Sequence, residues 1–228
     1  MVKFLFLDMD ETILDFKMAE AVAIRKTLQD AGLEPTDAVC TRYSQINHGY
    51  WERLERKEVT HEELMVGRFA DLFAEYGVDA DPAATAPAYM RNLSLGHDYL
   101  PGAEAAMEKL AKKYKIYLAS NGVTETQLHR IADSKIDRFA TEIFISGIVG
   151  VNKPDKGFFD YCFTRIPDFD PELALMVGDS LTSDIQGGIN AGIRTCWVNP
   201  GHKTAPEHIC PDYEIENLTQ LEALLERI

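Results

Sequence analysis

Short apolar runs alternate with helical patterns over the second half of the chain, and this alternation predicts the fold. The runs are residues 116–119, 143–145, 173–177 and 195–198, and each has the length of a buried strand. Repeated strand–helix units form parallel sheets that are covered by helices on both faces. A further apolar run, residues 4–7, is expected in the same sheet. The sequence therefore predicts an α/β fold with a doubly wound, Rossmann-like, mainly parallel sheet.

A different pattern, helical throughout and without a convincing strand, extends over residues 20–95. Its first helix is expected to stop near Gly32, because an apolar face ends there. The residues of that face are Val22, Ile24, Leu28 and Ala31. We therefore predict an α/β core of residues 1–15 and 97–228, with a small helical domain, residues 16–96, inserted after the first strand.

Two later helices of the inserted domain have recognisable starts. Thr60 and Glu63 form the pattern of a capping box. Asp81 followed by Pro82 is typical of a capping residue and a first-turn proline. Pro87 comes shortly afterwards, and it predicts that this last helix is short or broken.

The composition is that of an ordinary globular protein, with 46% hydrophobic and 26% charged residues. The formal net charge of −14 argues against binding to a nucleic-acid polymer, which needs Lys and Arg to neutralise phosphates. No stretch approaches the ~18 apolar residues of a membrane span, and the N-terminus does not resemble a signal peptide. The four cysteines lack a C-x-x-C spacing and are expected to be reduced. We expect a cytoplasmic protein without membrane partners, and the sequence carries no signal of oligomeric state.

Two carboxylates, Asp8 and Asp10, follow the first apolar run, and Thr12 stands two residues further on. Alternation along an extended chain places both acids on the same side. Crowded carboxylates repel each other unless positive charge is supplied, and Mg²⁺ binds carboxylates together with phosphate oxygens. A polar turn without chemistry stays open as the alternative for these three residues, so the other strand ends decide.

Residues 120–122 follow the second run and precede a helix. Ser120 and Asn121 offer a hydroxyl and an amide beside the free N–H groups of a helix start, which suits a phosphate. A turn without a ligand would use the same residue types. Thr124 and Gln127 form the pattern of another capping box.

Charged residues follow the next two runs. Lys153 precedes a proline in a loop, where a lone lysine is usually a solvated surface charge. Asp179 and Asp184 follow the run at 173–177, where acids also favour a helix N-terminus. Because ligands bind outside the carboxyl ends of parallel strands, we expect these groups at the same sheet edge as the first acids.

The four strand ends bear, in order, Asp-x-Asp-x-Thr, Ser-Asn, Lys-Pro and Gly-Asp-x₄-Asp. This set resembles the motifs of the haloacid dehalogenase (HAD) superfamily, and the resemblance covers the whole chain. The inserted helical domain is similar to the small α-helical cap of that superfamily. Residues 67–69, 158–161 and 187–192, the last followed by 195–197, resemble the pyrimidine 5′-nucleotidase (YjjG-like) branch, although the segment 187–192 also fits close helix–sheet packing.

The resemblance implies a phosphatase that acts through an aspartyl-phosphate intermediate. Asp8 would be the nucleophile, and Asp10 would protonate the leaving group and later accept a proton from water. Lys153 would neutralise charge on Asp8 and on the transferring oxygens.

The resemblance also implies Mg²⁺ as cofactor and a set of phosphate-binding residues. The residues implied at the metal are Asp8, Asp10 through its backbone carbonyl, Asp179 and, through bound waters, Asp184. The residues implied at the phosphate are Ser120 and Asn121, together with Thr12, which would brace the loop that bears Asp10.

The branch resemblance implies a pyrimidine nucleoside monophosphate as the small phosphorylated substrate. The contacts expected from the helical domain are Asn47, Trp51 and Arg68. Asn47 and Trp51 are one helical turn apart, so a base can hydrogen-bond to one and stack on the other. Trp51 fits a packing role between the two domains equally well.

Other functions stay open at the level of sequence. A sugar-phosphate or phosphoglycolate phosphatase is the nearest alternative, and a phosphomutase shares the same motifs. A haloacid dehalogenase needs neither the second acid nor a metal, which disfavours it here. A phospho-aspartate signalling module uses a similar acidic cluster but has no cap, and an inactive binding protein would be expected to lack a motif residue.

Overall fold

The computed structural model describes all 228 residues. They form two compact units, one of Met1–Asp15 with His97–Ile228 and the other of Phe16–Gly96. We refer to them as the α/β unit and the helical unit.

The α/β unit contains a six-stranded sheet in which every neighbouring pair is parallel. The strands are β1 (Phe4–Leu7), β2 (Lys115–Ser120), β3 (Glu142–Ile145), β4 (Ala174–Gly178), β5 (Arg194–Val198) and β6 (Tyr213–Ile215). Their order is β3-β2-β1-β4-β5-β6, so the winding direction reverses between β1 and β4. The doubly wound parallel sheet is confirmed, and β6 is a short edge strand that the apolar runs did not predict. A reversal of this kind opens a crevice where ligands bind in open α/β sheets.

The helical unit consists of four helices, α1 (Phe16–Asp30), α2 (Asp37–Glu55), α3 (His61–Tyr76) and α4 (Pro82–Leu93). The two predicted starts are confirmed: Thr60 forms a capping box with Glu63, and Asp81 accepts a hydrogen bond from the Ala83 N–H. The expectation that Pro87 breaks α4 is wrong. A proline removes one helical hydrogen bond. The buried residues of α4, Ala86, Tyr89 and Leu93, lie on both sides of Pro87, so their packing maintains the helix.

The core of the helical unit is aromatic. The rings of Tyr43 and Phe69 lie 5.3 Å apart, and Tyr89 lies 5.3 Å from Tyr43. Leu28 of the predicted apolar face is fully buried in this core, whereas Val22 of the same face is 61% exposed. The apolar face predicted for α1 therefore includes residues that do not pack in the core.

Six helices accompany the sheet, α5 (Ala103–Leu110), α6 (Thr124–Ser134), α7 (Ser146–Val149), α8 (Lys156–Arg165), α9 (Gln186–Ala191) and α10 (Leu221–Leu225). Leu5 and Leu7 of β1 belong to a core cluster with residues of α5 and α10. The alternate residues, Phe4 and Phe6, belong to a second cluster with α8. Both faces of the sheet are thus covered, which explains why its strands read as continuous apolar runs. Among the helices, none combines the length and apolarity of a membrane span.

Candidate active site

The register of the sheet places three strand ends side by side. Leu7 of β1 pairs with Leu118 of β2 and with Val177 of β4. The next residue of the first strand, Asp8, donates its backbone N–H to the Val177 carbonyl oxygen at 2.9 Å. The polar residues that follow these strands therefore share the edge at which the winding reverses.

Lys153 is part of this edge and is not a surface charge. Its side chain is 1% exposed, and Nζ lies 2.6 Å from Asp8 Oδ1 and 2.7 Å from Asp184 Oδ1. It also donates to the Ala119 carbonyl oxygen at 2.5 Å. Burial opposes the charge of the ammonium group, but Asp184 and Asp8 outweigh it and raise the pKa of Lys153 above its usual value. Lys153 is thus charged at neutral pH.

Three carboxylates crowd around this single ammonium group. One oxygen each of Asp8, Asp179 and Asp184 lies within 4.8 Å of the others. Burial, followed by the charges of Asp184 and Asp10, raises the pKa of Asp8 to about 7 against the pull of Lys153. Burial and the neighbouring Asp184 and Asp8 raise the pKa of Asp179 well above its usual value. The site holds more negative charge than its protein partners neutralise, and its all-oxygen donor set fits a hard divalent cation.

The loop after β4 is built to hold the acids of that strand. A Cβ at Gly178 would lie 2.1 Å from Asp184 Oδ2, so only glycine lets that carboxylate approach the strand end. The same oxygen accepts a hydrogen bond from the Ser180 N–H at 3.1 Å. Trp197 on β5 donates its indole N–H to the Asp179 carbonyl oxygen at 2.9 Å, which holds the backbone of that acid.

Ser120 and Asn121, both predicted at the phosphate, have different environments. The Ser120 hydroxyl oxygen accepts hydrogen bonds from the Gly122 N–H and from Gln127 Nε2, at 3.0 and 2.7 Å. Its own hydrogen therefore remains to be donated. Asn121 bonds the Lys153 backbone twice, because Oδ1 accepts from the Lys153 N–H and Nδ2 donates to its carbonyl oxygen. The Asn121 side chain thus positions the lysine loop.

Asp10 does not join the three clustered carboxylates. Its Oδ2 accepts a hydrogen bond from Gln127 Nε2 at 2.8 Å, and its Oδ1 forms an ion pair with Arg130 Nη1. Thr12, next on the same loop, is buried, and its hydroxyl makes no hydrogen bond within the protein.

Gln127 and Arg130 were missed by the sequence analysis. The interpretation of Thr124 and Gln127 as a capping box is wrong, because the residue before α6 is Val123 and no side chain caps the helix. Gln127 turns instead towards the active-site loop, 117 residues away in sequence. Two polar residues spaced i, i+3 on the helix that follows the Ser-Asn strand end were the available signal.

The three residues predicted to contact substrate all lie in the helical unit. Asn47 and Arg68 are 4% and 2% exposed, and Arg68 Nη1 donates to Asn47 Oδ1 at 2.8 Å. Asn47 Nδ2 in turn donates to Glu20 Oε1 at 2.8 Å. Trp51 is half-buried with its ring edge-on to His61 at 6.2 Å. The structure brings Asn47 and Arg68 together in one buried network.

Comparison with known proteins identifies the family. The model of the haloacid dehalogenase-like hydrolases matches residues 2–192. The chain belongs to this family of hydrolases. It is 41% identical to the HAD-hydrolase YfnB of Bacillus subtilis over 221 residues, 97% of this chain and 94% of YfnB. It is 37% identical to the pyrimidine 5′-nucleotidase PynA of Streptococcus pneumoniae, over 96% of this chain and 93% of PynA. The pyrimidine 5′-nucleotidase YjjG of Escherichia coli is 32% identical, over 97% of this chain and 96% of YjjG.

Solved structures agree with this assignment. The crystal structure of YfnB bound to magnesium has a TM-score of 0.94 to this chain and covers 98% of both chains. L-2-haloacid dehalogenase from Xanthobacter autotrophicus has a TM-score of 0.76 at 18% identity, with both chains fully covered. The second likeness shows a shared fold and no more.

Proposed function

We propose that the chain is a Mg²⁺-dependent phosphomonoester hydrolase that acts through an aspartyl-phosphate intermediate on pyrimidine nucleoside monophosphates. The observation that carries this proposal is the position of Asp8, whose carboxylate contacts the ammonium group of Lys153 and lies close to the carboxylates of Asp179 and Asp184. The match to PynA and YjjG supports the choice of substrate class.

In the first step, a carboxylate oxygen of Asp8 attacks the phosphorus atom in line with the leaving group. The ester P–O bond breaks, and its electron pair goes to the leaving oxygen. Asp10 donates a proton to that oxygen, so that the product leaves as an alcohol. The phosphoryl group is then esterified to Asp8.

In the second step, water attacks the same phosphorus atom. Asp10, now a carboxylate, accepts the proton of that water. The P–O bond to Asp8 breaks, which releases inorganic phosphate and restores the Asp8 carboxylate. One residue thus serves as acid and then as base.

Other residues of the site bind and neutralise the phosphoryl group. Lys153 offsets negative charge where the nucleophile meets the phosphate, and Ser120 has a hydroxyl hydrogen to donate. Asp8, Asp179 and the backbone carbonyl of Asp10 would hold Mg²⁺, with Asp184 behind them. When bound, the metal supplies positive charge that lets an anionic nucleophile approach an anionic phosphate.

We further propose that the helical unit acts as the cap and supplies substrate contacts. Of its three predicted contacts, Trp51 is the least buried, and its ring is the candidate for stacking on a base. The mutual hydrogen bonds of Asn47 and Arg68 favour a role inside the helical unit. A sugar-phosphate substrate would use the same catalytic groups without a stacking residue.

The test is phosphate release from a panel of nucleoside monophosphates, phosphoglycolate and hexose phosphates, with Mg²⁺ and with EDTA. We expect activity that depends on Mg²⁺ and prefers UMP, dUMP or dTMP. Asp8→Asn should lower kcat by about 10⁴-fold or more, because the nucleophile is lost. Asp160→Asn removes the same charge from an exposed position and is the matched control.

Each outcome of the panel has a clear meaning. Turnover of phosphoglycolate or a hexose phosphate in preference to nucleotides would reject the substrate class and keep the mechanism. Wild-type turnover by the Asp8→Asn protein would reject the mechanism itself.

A further inference from the structure

Both carboxylate oxygens of Asp10 are bound by one face of α6. Gln127 Nε2 donates to Oδ2 at 2.8 Å, and Arg130 Nη1 forms an ion pair with Oδ1. Gln127 and Arg130 are each 1% exposed, whereas the Asp10 side chain keeps 25% exposure. The partly exposed carboxylate of Asp10 is thus bound by two buried side chains.

The two donors also constrain each other. Arg130 Nη1 donates to Gln127 Oε1 at 2.9 Å, and Gln127 Nε2 gives its second hydrogen to Ser120 Oγ at 2.7 Å. This use of both ends of the amide admits one orientation of Gln127, with oxygen towards Arg130 and nitrogen towards Asp10. The result is a continuous chain of hydrogen bonds from Arg130 to Ser120.

Asp10 needs such support because it stands on a loop and not in a strand. β1 ends at Leu7, and Glu11, which follows Asp10, has a positive φ of 57°. A loop carboxylate without partners would sample several rotamers, and the loss of a defined position for a reacting group costs rate. An ionised carboxylate has about four acceptor sites, so two hydrogen bonds leave others for proton exchange.

We propose that Gln127 and Arg130 are positioning residues that hold Asp10 where it exchanges protons with the leaving oxygen and with water. The inference rests on the proposed phosphatase activity and assigns two residues to it. The link through Gln127 to Ser120 connects the proton-exchanging group to the hydroxyl that we propose binds the phosphate. The competing explanation is that the cluster merely fastens α6 to the loop after β1.

The test compares two phosphate esters that differ in their need for a proton. A phosphomonoester of an aliphatic alcohol, such as a nucleoside monophosphate, needs an acid to protonate the leaving oxygen. p-Nitrophenyl phosphate does not, because its phenolate is stable without a proton. kcat/KM is measured for both, since it reports only the steps up to departure of the leaving group.

Two variants probe the donors separately. Gln127→Met keeps the length of the side chain and removes its three hydrogen bonds, and Arg130→Lys keeps the positive charge without the fork geometry. Ser134→Ala is the matched control, because Ser134 is also buried on α6 and bonds the Arg130 carbonyl oxygen without contacting Asp10. Thermal unfolding of each protein separates folding effects from rate effects, and Gln127→Met carries the test if Arg130→Lys does not fold.

We expect both variants to lose about 10- to 100-fold in kcat/KM with the nucleoside monophosphate. With p-nitrophenyl phosphate the change should stay within about threefold, and Ser134→Ala should change neither. Equal losses with both esters, or no loss with either, would overturn the positioning role while leaving the phosphatase standing. Wild-type protein inactive on both esters would overturn the proposed function and this inference with it.

Discussion

Both units bury charged side chains, but they balance charge differently. In the α/β unit, three carboxylates share one ammonium group, that of Lys153. In the helical unit, Asn47 connects one buried carboxylate, Glu20, to one buried guanidinium, Arg68. The first cluster keeps an excess of negative charge, whereas the second pairs its charges through an amide.

We interpret this difference as the one between a candidate cation site and a structural network. Buried ions are tolerated when partners and hydrogen bonds compensate their desolvation. In the helical unit, Glu20 and Arg68 each have a hydrogen-bond partner in Asn47. The carboxylates of the α/β unit have too little positive charge nearby, and the raised pKa values of Asp8 and Asp179 are the consequence of this deficit of positive charge. A bound cation would remove it.

The largest expected effect on stability comes from a substitution in the buried network of the helical unit. Arg68→Met removes a buried guanidinium and leaves the buried Oδ1 of Asn47 without that donor, which should lower the free energy of unfolding by about 3 kcal/mol. Arg42→Met, an exposed arginine paired with Glu75, should have little effect. Chemical denaturation measures both. An Arg68→Met protein of unchanged stability but raised nucleotide KM would instead make Arg68 a substrate contact.

Metal binding should stabilise the α/β unit by the next largest amount. A divalent ion at about 100 times its dissociation constant adds roughly 2.7 kcal/mol to the stability of a protein that binds it only when folded. We therefore expect Mg²⁺ to raise the Tm of the wild type measurably and that of Asp179→Asn much less. Differential scanning fluorimetry with Mg²⁺ and with EDTA measures this. Equal stabilisation of both proteins would mean that Asp179 is not a ligand.

The deficit of positive charge should also make the stability of the metal-free protein depend on pH. The pKa of Asp8 is about 7 in the fold against an ordinary value of 3.8. Between these pH values the folded state binds more protons than the unfolded state, so stability falls as pH rises. In EDTA, the wild type should lose Tm relative to Asp8→Asn from about pH 4 to pH 7, at about 2–4 °C per kcal/mol. Parallel curves for the two proteins would contradict the raised pKa.

The smallest expected effect concerns Trp51. If its ring stacks on the base, Trp51→Ala should raise the KM for a pyrimidine nucleotide about 3- to 10-fold while kcat and Tm change little. p-Nitrophenyl phosphate has no pyrimidine and serves as the control substrate. An unchanged KM together with a lower Tm would assign Trp51 to packing.

Local patterns predicted most of the backbone. Five of the six strands coincide with apolar runs, because strands buried on both faces carry few polar residues. The capping residues Thr60 and Asp81 were also predictable, since each bonds an N–H within its own first turn. The three-residue β6 lacks a comparable run and was missed.

Predictions that depended on distant partners were less successful. The pattern at Thr124 and Gln127 fits a helix cap, yet Gln127 bonds Asp10 and Ser120. The hydrogen bond between Asn47 and Arg68 was not foreseen either, and their role as substrate contacts stays a prediction. Nothing in the neighbouring sequence of these residues distinguishes the two outcomes.

The sequence by itself determined the strand and helix pattern, the doubly wound class and the set of polar residues at the strand ends. Periodicity and end signals act over a few residues, so they can be recognised without the fold. Only the tertiary structure decided that Lys153 also binds Asp184, that Asp10 is bound by α6 and that Arg68 is buried beside Asn47. Those contacts join residues far apart in the chain, and the packing of whole elements selects each partner.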